Sequence, residues 1–220
     1  MDSPIEHRIQ RHIIGVLIHQ KYARFSDLRP PRTDSNLFSY HLKALLRSNL
    51  VVKDEFGYTL SDTGLGYVDR VSIKKLNVRS QPKIITMLVL SNDKGEILLQ
   101  RRAKQPYIDT WTLPYGKTHI NDASIAIAAR RELSEKLGIE SDALEHAGDA
   151  YIRVSAHGEH LSTTLAHVFK GTITIDADES ICWIKEEELH RLPLAPAVET
   201  IVAATSRATT FFLEVNETWK

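Results

Sequence analysis

Two glutamates and a lysine that lie close together in the chain are the residues whose types and spacing best suit chemistry on a charged ligand. Glu132 and Glu135 are three residues apart, and Lys136 follows directly. Residues three or four apart share one face of a helix, so these side chains point the same way. Carboxylates on one helix face suit Mg²⁺, which takes oxygen ligands and usually also holds substrate phosphates.

The lysine weakens such a metal site. About 4 Å from a carboxylate, an ammonium attracts it by about 4 kcal/mol at an effective dielectric of about 20. Lys136 therefore competes with Mg²⁺ for the carboxylates and also repels it. An ammonium can instead meet a phosphate directly, as a point charge. A lysine at this position therefore favours ligand binding over catalytic turnover.

The segment from residue 116 to residue 139 resembles a Nudix box. That pattern is Gly, five residues, Glu, seven residues, then Arg-Glu-apolar-x-Glu-Glu-x-Gly-apolar. Asp122 stands where the first Glu is expected, one extra residue separates it from Arg131, and Lys136 replaces the last Glu. Further matches at residues 113–117 and 183–189 extend the resemblance over residues 83–220. The box residues that match are Gly116, Arg131, Glu132, Leu133, Glu135, Gly138 and Ile139.

The resemblance implies an α/β/α sandwich that holds Mg²⁺ or Mn²⁺ against a diphosphate. In such sites the metal polarises a phosphoryl oxygen and lowers the pKa of the attacking water. If the protein catalyses, Glu132 and Glu135 are the expected metal ligands and catalytic residues, assisted by the Gly116 carbonyl. Glu179 or Asp178 could supply a further carboxylate, and Arg131 is expected to orient the carboxylates. Without catalysis, no cofactor is expected.

A nucleotide-like or diphosphate-containing small molecule is the ligand that the resemblance implies. Two histidine-containing positions are ambiguous, because ten histidines make a fortuitous one common. His119 lies in the loop after the Gly116 turn. The second position is a His-Gly-Glu-His run at residues 157–160, which suits either a metal site or, more simply, a solvated hairpin tip. The predicted ligand-binding residues are Arg101, Arg102, Lys117, His119 and Lys136, with a solvated strand edge as the alternative for the two arginines.

The first third of the chain predicts a winged helix-turn-helix, a small α+β domain. Apolar residues recur at helical spacing from Ile5 to Leu17, after a start signal in which Ser3 caps, Pro4 takes the first turn and Glu6 completes a capping box. The other predicted elements are a short helix over residues 25–28, a third helix capped by Asp34 or Ser35, strands near residues 50–53 and 58–60, and a last helix opened by Ser61.

Residues 36–45 resemble the recognition helix of bacterial and archaeal winged-helix regulators. Such a helix enters the major groove of double-stranded DNA, where side chains near its start meet base edges. Basic residues outside that helix face contact phosphates, which supply affinity without sequence choice. The alternative is a protein-docking or dimerisation module. The predicted DNA-binding residues are Ser35, Asn36, Ser39, Tyr40 and Lys43 at the bases, and Arg32, Arg47 and Lys53 at phosphates.

The charge distribution supports two modules with different partners. Residues 1–80 are net +5 and the remainder is net −5, so a polyanion suits the first module. A polar stretch ending at Pro82 places the boundary, giving domains at residues 1–78 and 79–220. The single cysteine, Cys182, excludes an intramolecular disulfide, and no apolar run reaches membrane-spanning length. We expect a cytoplasmic protein without membrane contact.

The second module predicts alternating strands and helices. The predicted elements are strands at residues 84–90, 97–99, 150–154, 165–170 and 181–184, a helix starting near Ser124, and a last helix at residues 198–206.

Two functions remain in competition. The first is a transcriptional regulator, possible as a homodimer, in which a degenerate Nudix domain senses a nucleotide-like metabolite. The second is a working Mg²⁺-dependent Nudix hydrolase that cleaves a nucleoside diphosphate linked to another group. A likeness of residues 128–133 to isopentenyl-diphosphate isomerases is discounted, since Cys182 lies too far downstream to be their catalytic cysteine.

Overall fold

The computed structural model describes residues 5, 7–72 and 81–219. The chain forms two compact units, Met1–Ser80 and Gln81–Lys220, here called unit 1 and unit 2. The predicted division between residues 78 and 79 lies outside the described residues. No helix in the described ranges has the length and apolar character needed to cross a membrane.

Unit 1 contains the predicted elements in the predicted order. Asp34 accepts backbone hydrogen bonds from Asn36 and Leu37 and so caps the third helix, and Ser61 caps the fourth. The fold is built from α1 (Arg8–His19), α2 (Phe25–Leu28), α3 (Ser35–Arg47), β1 (Val51–Lys53), β2 (Tyr58–Leu60) and α4 (Asp62–Arg70).

The start of α1 differs from expectation, and α3 buries one face. His7, not Ser3, is the N-cap of α1, and it forms a capping box with Gln10; Ser3, Pro4 and Glu6 lie outside the described residues. Leu37 is 44% exposed, because α3 buries the face that carries Phe38, Leu42 and Leu45 instead. Those residues pack with Ile9 and Ile13 of α1 and form the core of unit 1.

Unit 2 is a mixed α/β domain built around one sheet. Among the described residues this sheet has eight strands in the order β10-β7-β8-β3-β4-β5, with β6 paired to β3 and β9 to β4. The elements are β3 (Lys83–Ser91), β4 (Ile97–Arg101), β5 (Trp111–Thr112), β6 (Tyr115–Lys117), α5 (Ile125–Leu137), β7 (Glu145–Ala156), β8 (Glu159–Thr172), β9 (Ile181–Ile184), a 3₁₀ turn (Glu186–Arg191), α6 (Val198–Arg207) and β10 (Phe211–Trp219).

Helices cover both faces of the sheet, which gives the predicted sandwich. The helix α5 buries Ala129, Leu133 and Leu137 against one face. The other face packs against α6, through Val198 and Ile201. Successive residues of β3 alternate between the two cores, as a strand buried on both faces requires. The sheet thereby holds β6 and α5 next to each other.

The predicted strands are present, but β7 and β8 are longer than predicted, and β5, β6 and β10 were not predicted. The final strand, β10, pairs in parallel with β7 over its whole length. Cys182 lies half-buried in β9, packed against the core, and burial raises the pKa of its thiol to about 11.

Candidate functional site

Gly116 of β6 and Glu132 of α5 meet at the centre of the predicted box. Glu132 is only 3% exposed. A Cβ atom at position 116 would lie 1.8 Å from Cδ of Glu132, so no side chain fits there unless the carboxylate moves. The glycine of the box is therefore required by the close approach of strand and carboxylate.

Arg131 binds three carboxylates at once. Its Nε and Nη2 atoms donate to both carboxylate oxygens of Asp122, at 3.0 and 2.9 Å. Its Nη1 atom donates to Glu132 at 2.7 Å and to Glu135 at 3.3 Å. We call these four residues the carboxylate clamp. The expected role of Arg131, orienting the carboxylates, is the one that these contacts describe.

The clamp also fixes the loop that precedes α5. Arg131 donates to the Lys117 carbonyl at 3.0 Å, and the backbone N–H of His119 donates to Asp122 at 2.6 Å. The Arg131 guanidinium and that N–H together lower the pKa of Asp122 to about 2. In return, the hydrogen bonds with Asp122 raise the pKa of Arg131 above its usual range. The loop is thus tied to the helix by ionised groups.

The carboxylates of the box do not form a ready Mg²⁺ site. Glu132 and Glu135 both accept hydrogen bonds from the Arg131 guanidinium. The ammonium of Lys136 lies within ion-pair distance of no carboxylate in the described part of the chain, so the close approach to the box carboxylates that the sequence predicts is not present. The described residues do contain a group of three carboxylate and imidazole ligand atoms within 4.8 Å of one another. That group lies elsewhere, on β7 and β8. Glu179 lies exposed in the loop before β9. This donor set does not fit the metal that the box usually holds.

A cavity of about 330 Å³ opens beside the clamp and is lined by basic side chains. Gly116 forms part of its wall, and no Asp or Glu is among the described residues that line it. We call its cationic residues the basic lobe. They are Arg101, Arg102, Lys104, Lys117 and Lys136.

Arg102 is the most firmly held cation of the basic lobe. Its guanidinium donates to the Pro106 carbonyl at 2.8 Å and to the Lys104 carbonyl at 3.2 Å, and it also donates to the Tyr115 hydroxyl. Arg101 is more exposed and pairs with Asp109 at 3.1 Å. In the described part of the chain, no carboxylate lies within ion-pair distance of Lys104, Lys117 or Lys136. The lobe therefore presents cations whose charge is largely unmatched.

A second cavity of about 290 Å³ shares Arg102, Thr112, Tyr115 and Lys117 with the first. The two cavities are therefore neighbours that share part of their walls, and we call them together the cleft. The remaining wall of the second cavity is mainly apolar and aromatic, and we call it the apolar lobe. Its residues include Ile85, Met87, Pro106, Tyr107, Ile152 and Val154.

Tyr107 gives the apolar lobe a buried polar group. Its hydroxyl oxygen is buried and makes no hydrogen bond of normal geometry among the described residues. Burial raises the pKa of the phenol, and the nearby Ser162 side chain, which also lines the lobe, opposes part of that shift. Its ring packs edge to face against Trp219, with 4.8 Å between the centroids. A bound ligand that offers an acceptor would satisfy this hydroxyl.

The structure brings together most of the predicted ligand-binding residues. Arg101, Arg102, Lys117 and Lys136 all line the basic lobe, whereas His119 lines neither cavity. Sequence reasoning missed Lys104, Tyr107 and Tyr115. The basic run from Arg101 to Lys104 could have identified Lys104. Tyr107 and Tyr115 could not be identified without the fold, because they come from separate loops and strands.

The predicted DNA-binding residues lie on the surface of unit 1. Most of them are exposed, and Ser39 is half-buried. Ser35 also accepts a hydrogen bond from Arg29 at 2.7 Å. Tyr40 is the most exposed aromatic residue of α3, with 62% of its surface accessible.

The chain belongs to the Nudix family. A family model described as a NUDIX domain matches residues 81–204, which is the unit that carries the clamp and the cleft. The CTP pyrophosphohydrolase of Escherichia coli (strain K12) is 31% identical over 113 residues, a span that covers 51% of this chain and 83% of that protein.

Solved structures are similar at lower identity, and the fold is shared with the first of the two that follow. The NUDIX domain of Shewanella oneidensis NrtR, complexed with ADP ribose, superposes with a TM-score of 0.50 and 16% identity, covering 64% of this chain and 96% of that one. A mutator MutT protein from Bacillus halodurans gives a TM-score of 0.49 and 21% identity, covering 62% and 90%.

Proposed function

We propose that this protein is a ligand-responsive, DNA-binding transcriptional regulator. In this proposal unit 2 binds a nucleotide-like metabolite that contains a diphosphate, and unit 1 binds double-stranded DNA. The observation that carries the proposal is the basic lobe, which presents five cations and no carboxylate among the described residues and includes Lys136, at the box position of the third helix carboxylate.

A diphosphate is the ligand group that fits the basic lobe. Its negative charges match cations that have no protein partner, and Arg102 is held in place before any ligand arrives. Charge-assisted hydrogen bonds to such fixed groups are strong and geometrically selective. Lys136 takes part as a phosphate contact, which explains how a lysine suits a position that a metal ligand usually occupies.

A planar, partly polar group such as a nucleobase fits the apolar lobe. Tyr107 and Tyr115 supply aromatic surface, and the buried Tyr107 hydroxyl offers a hydrogen bond. Because Arg102 and Lys117 line both lobes, one molecule can place its base in one lobe and its phosphates in the other.

Unit 1 supports the DNA-binding half of the proposal. Its three helices, two-stranded hairpin and closing helix follow the order of a winged helix-turn-helix. In that fold α3 is the recognition helix and β1 and β2 form the wing. The exposed residues Asn36, Tyr40 and Lys43 lie on α3, as direct base contacts require. A homodimer would match a two-fold operator.

The ligand test is calorimetric titration of CDP, CTP and ADP ribose into the full chain in the presence of EDTA. We expect binding without metal, and a loss of at least tenfold in affinity for Lys136→Glu. Lys94→Glu is the matched control, because it makes the same charge change on an exposed turn outside the cleft and should bind normally. Binding that requires Mg²⁺, or an equal loss in the control, would contradict the proposal.

The DNA test uses the protein's own upstream region and fluorescence anisotropy at several salt concentrations. Lys53→Ala should weaken binding and reduce the slope of log affinity against log salt concentration by about 1, as for one lost phosphate contact. Lys21→Ala, an exposed lysine outside the predicted contact set, is the control. Salt-insensitive or absent binding by the unmodified chain would refute the regulator.

Hydrolysis is the second candidate function, and the 31% identity to a CTP pyrophosphohydrolase favours it. Phosphate release from CTP and related compounds should be measured with Mg²⁺ for the unmodified chain and for Lys136→Glu. Turnover by the unmodified chain would make the protein an enzyme with unit 1 as an accessory module. Turnover only in the variant would support a binding domain that has lost its third carboxylate.

A further inference from the structure

A bulge in β7 places two polar side chains on the same face of the sheet. In a regular strand, residues three apart point to opposite faces. The pairing of β7 with β8 shifts register between His146 and Gly148, so Ala147 is an extra residue, and His146 and Asp149 face the same side. Ala147 and Ala150 accordingly both lie in the core of the opposite face. Bulges commonly re-aim side chains in this way.

The bulge is fixed by the neighbouring strand. Gly148 lies against Phe211 of β10, and a Cβ atom at position 148 would be 2.4 Å from the Phe211 carbonyl oxygen. Its φ of 158° is also one that side chains rarely adopt. Only glycine lets β10 approach here, so the backbone that aims His146 and Asp149 is determined by packing.

His167 of β8 completes a group of three potential ligands. It lies directly opposite Asp149 in the ladder, and its Nδ1 atom is 2.7 Å from Oδ1 of Asp149. The Nε2 atom of His146 is 3.0 Å from the same oxygen. The three ligand atoms all lie within 4.8 Å of one another. Ligands about 2.0–2.2 Å from a tetrahedral Zn²⁺ are about 3.3 Å apart, so small rotations would centre the three on one ion.

The surroundings hold the group in place and leave it open to solvent. The His146 ring packs edge to face on Phe169, with 5.3 Å between centroids. The side chains of His146, Asp149 and His167 are 44%, 35% and 22% exposed. An ion and at least one water molecule can therefore reach the group without unfolding the sheet.

We propose that His146, Asp149 and His167 form a binding site for one divalent transition-metal ion of the Zn²⁺ class, with a fourth position taken by water. Two imidazoles and one carboxylate select such an ion over Mg²⁺, which prefers oxygen ligands throughout. The site is separate from the carboxylate clamp and does not depend on the ligand of the cleft. Sequence reasoning missed it, because only the bulge places residues 146 and 149 together.

The test is equilibrium dialysis of the full chain against Zn²⁺, with metal content measured per chain, and visible absorption after replacement by Co²⁺. We expect one tightly bound ion, a tetrahedral Co²⁺ spectrum, and a loss of at least 100-fold in affinity for Asp149→Asn and for His167→Ala. The Glu132→Gln/Glu135→Gln double variant, which removes the box carboxylates, should bind normally. His160→Ala, at the start of β8, is the histidine control.

A thermal measurement keeps the test independent of folding defects. Zn²⁺ should raise the Tm of the unmodified chain and of His160→Ala, because an ion that binds the folded state stabilises it. It should leave the Tm of Asp149→Asn unchanged, and the exposed His146→Ala is a substitute if another variant fails to fold. No binding by the unmodified chain, or binding that survives in Asp149→Asn and His146→Ala, would overturn the site.

Discussion

The carboxylate clamp and the basic lobe are adjacent, but the charges of the clamp are paired and most of those of the basic lobe are not. In the clamp, one arginine satisfies three carboxylates, and Glu132 is nearly buried. In the basic lobe, four of the five cations have no carboxylate partner in the described chain, and only Arg101 pairs with one. The two regions meet at Gly116 and Lys117, which belong to the wall of the cavity and also contact the clamp.

The difference separates a structural role from a binding role. Removing one partner of a buried, hydrogen-bonded ion pair is costly, because the other charge stays behind without solvent. Exposed and unpaired cations cost little to remove, but they add affinity for an anion. Substitutions in the clamp should therefore act mainly on stability, and substitutions in the basic lobe mainly on ligand affinity.

The largest effect is expected for Arg131→Ala. It leaves Glu132 buried without its partner and should lower the free energy of unfolding of unit 2 by about 3 kcal/mol. Tryptophan fluorescence in urea measures this unit alone, because Trp111, Trp183 and Trp219 all lie in it. Arg131→Lys keeps the positive charge but loses the forked N–H donors, so it should lower the free energy of unfolding by less. A loss below about 1 kcal/mol in the alanine variant would show that the clamp is not structural.

Gly116→Ala should come next, because the added methyl group and the Glu132 carboxylate cannot share the same space. We expect a loss of about 2 kcal/mol in the free energy of unfolding, together with weaker ligand binding from the distorted cavity wall. Gly95→Ala is a control in the same unit. It is strained by a φ of 74° but meets nothing within 4 Å, so it should lose about 1 kcal/mol and keep full affinity.

In the basic lobe, substitutions should change ligand affinity more than they change stability. Lys117→Ala should reduce affinity for CDP by about tenfold, as expected for one charge-assisted contact, with little change in the urea midpoint. Arg101→Ala should reduce affinity less, because Asp109 already offsets part of its charge. Calorimetric titration of both variants measures the difference. Equal effects, or a large loss of stability in either, would remove the distinction between the two regions.

The smallest effect concerns pH. The pKa of Asp122 is lowered from 3.8 to about 2 by Arg131 and the His119 N–H. This group therefore stabilises the folded state above about pH 4, and the contribution is lost as pH falls from there toward 2. The stability difference between the unmodified chain and Asp122→Asn should be largest near neutral pH and should shrink in acid. A difference that does not vary between pH 5 and 2.5 would contradict this assignment.

Much of the fold could be predicted because its signals are local. Caps at Asp34, Ser61 and Ser124 and the spacing of apolar residues located the helices. The strand β10 was missed although its exposure alternates from Phe212 to Thr218, a pattern that the sequence already carried. In contrast, β6 has only three residues and no pattern that could identify it.

The site was predictable only where neighbouring residues in the chain are neighbours in space. Glu132, Glu135 and Arg131 belong to one helix, so their association followed from spacing. Tyr107 and Lys104 join the cleft through loops, and the meeting of His146 with Asp149 depends on a bulge whose register is set by β10. Such long-range packing has no signature in a single segment.

Cys182 lies on β9, a strand that pairs only with β4 in the described sheet, and its thiol is a chemical probe of that strand. It is the only thiol of the chain, and burial raises its pKa to about 11, so the reactive thiolate is a minor form at neutral pH. Its strand is hydrogen-bonded to β4, which ends at Arg101. The rate at which this thiol is alkylated therefore reports on the packing around β9, and a nucleotide that holds the end of β4 should slow the reaction.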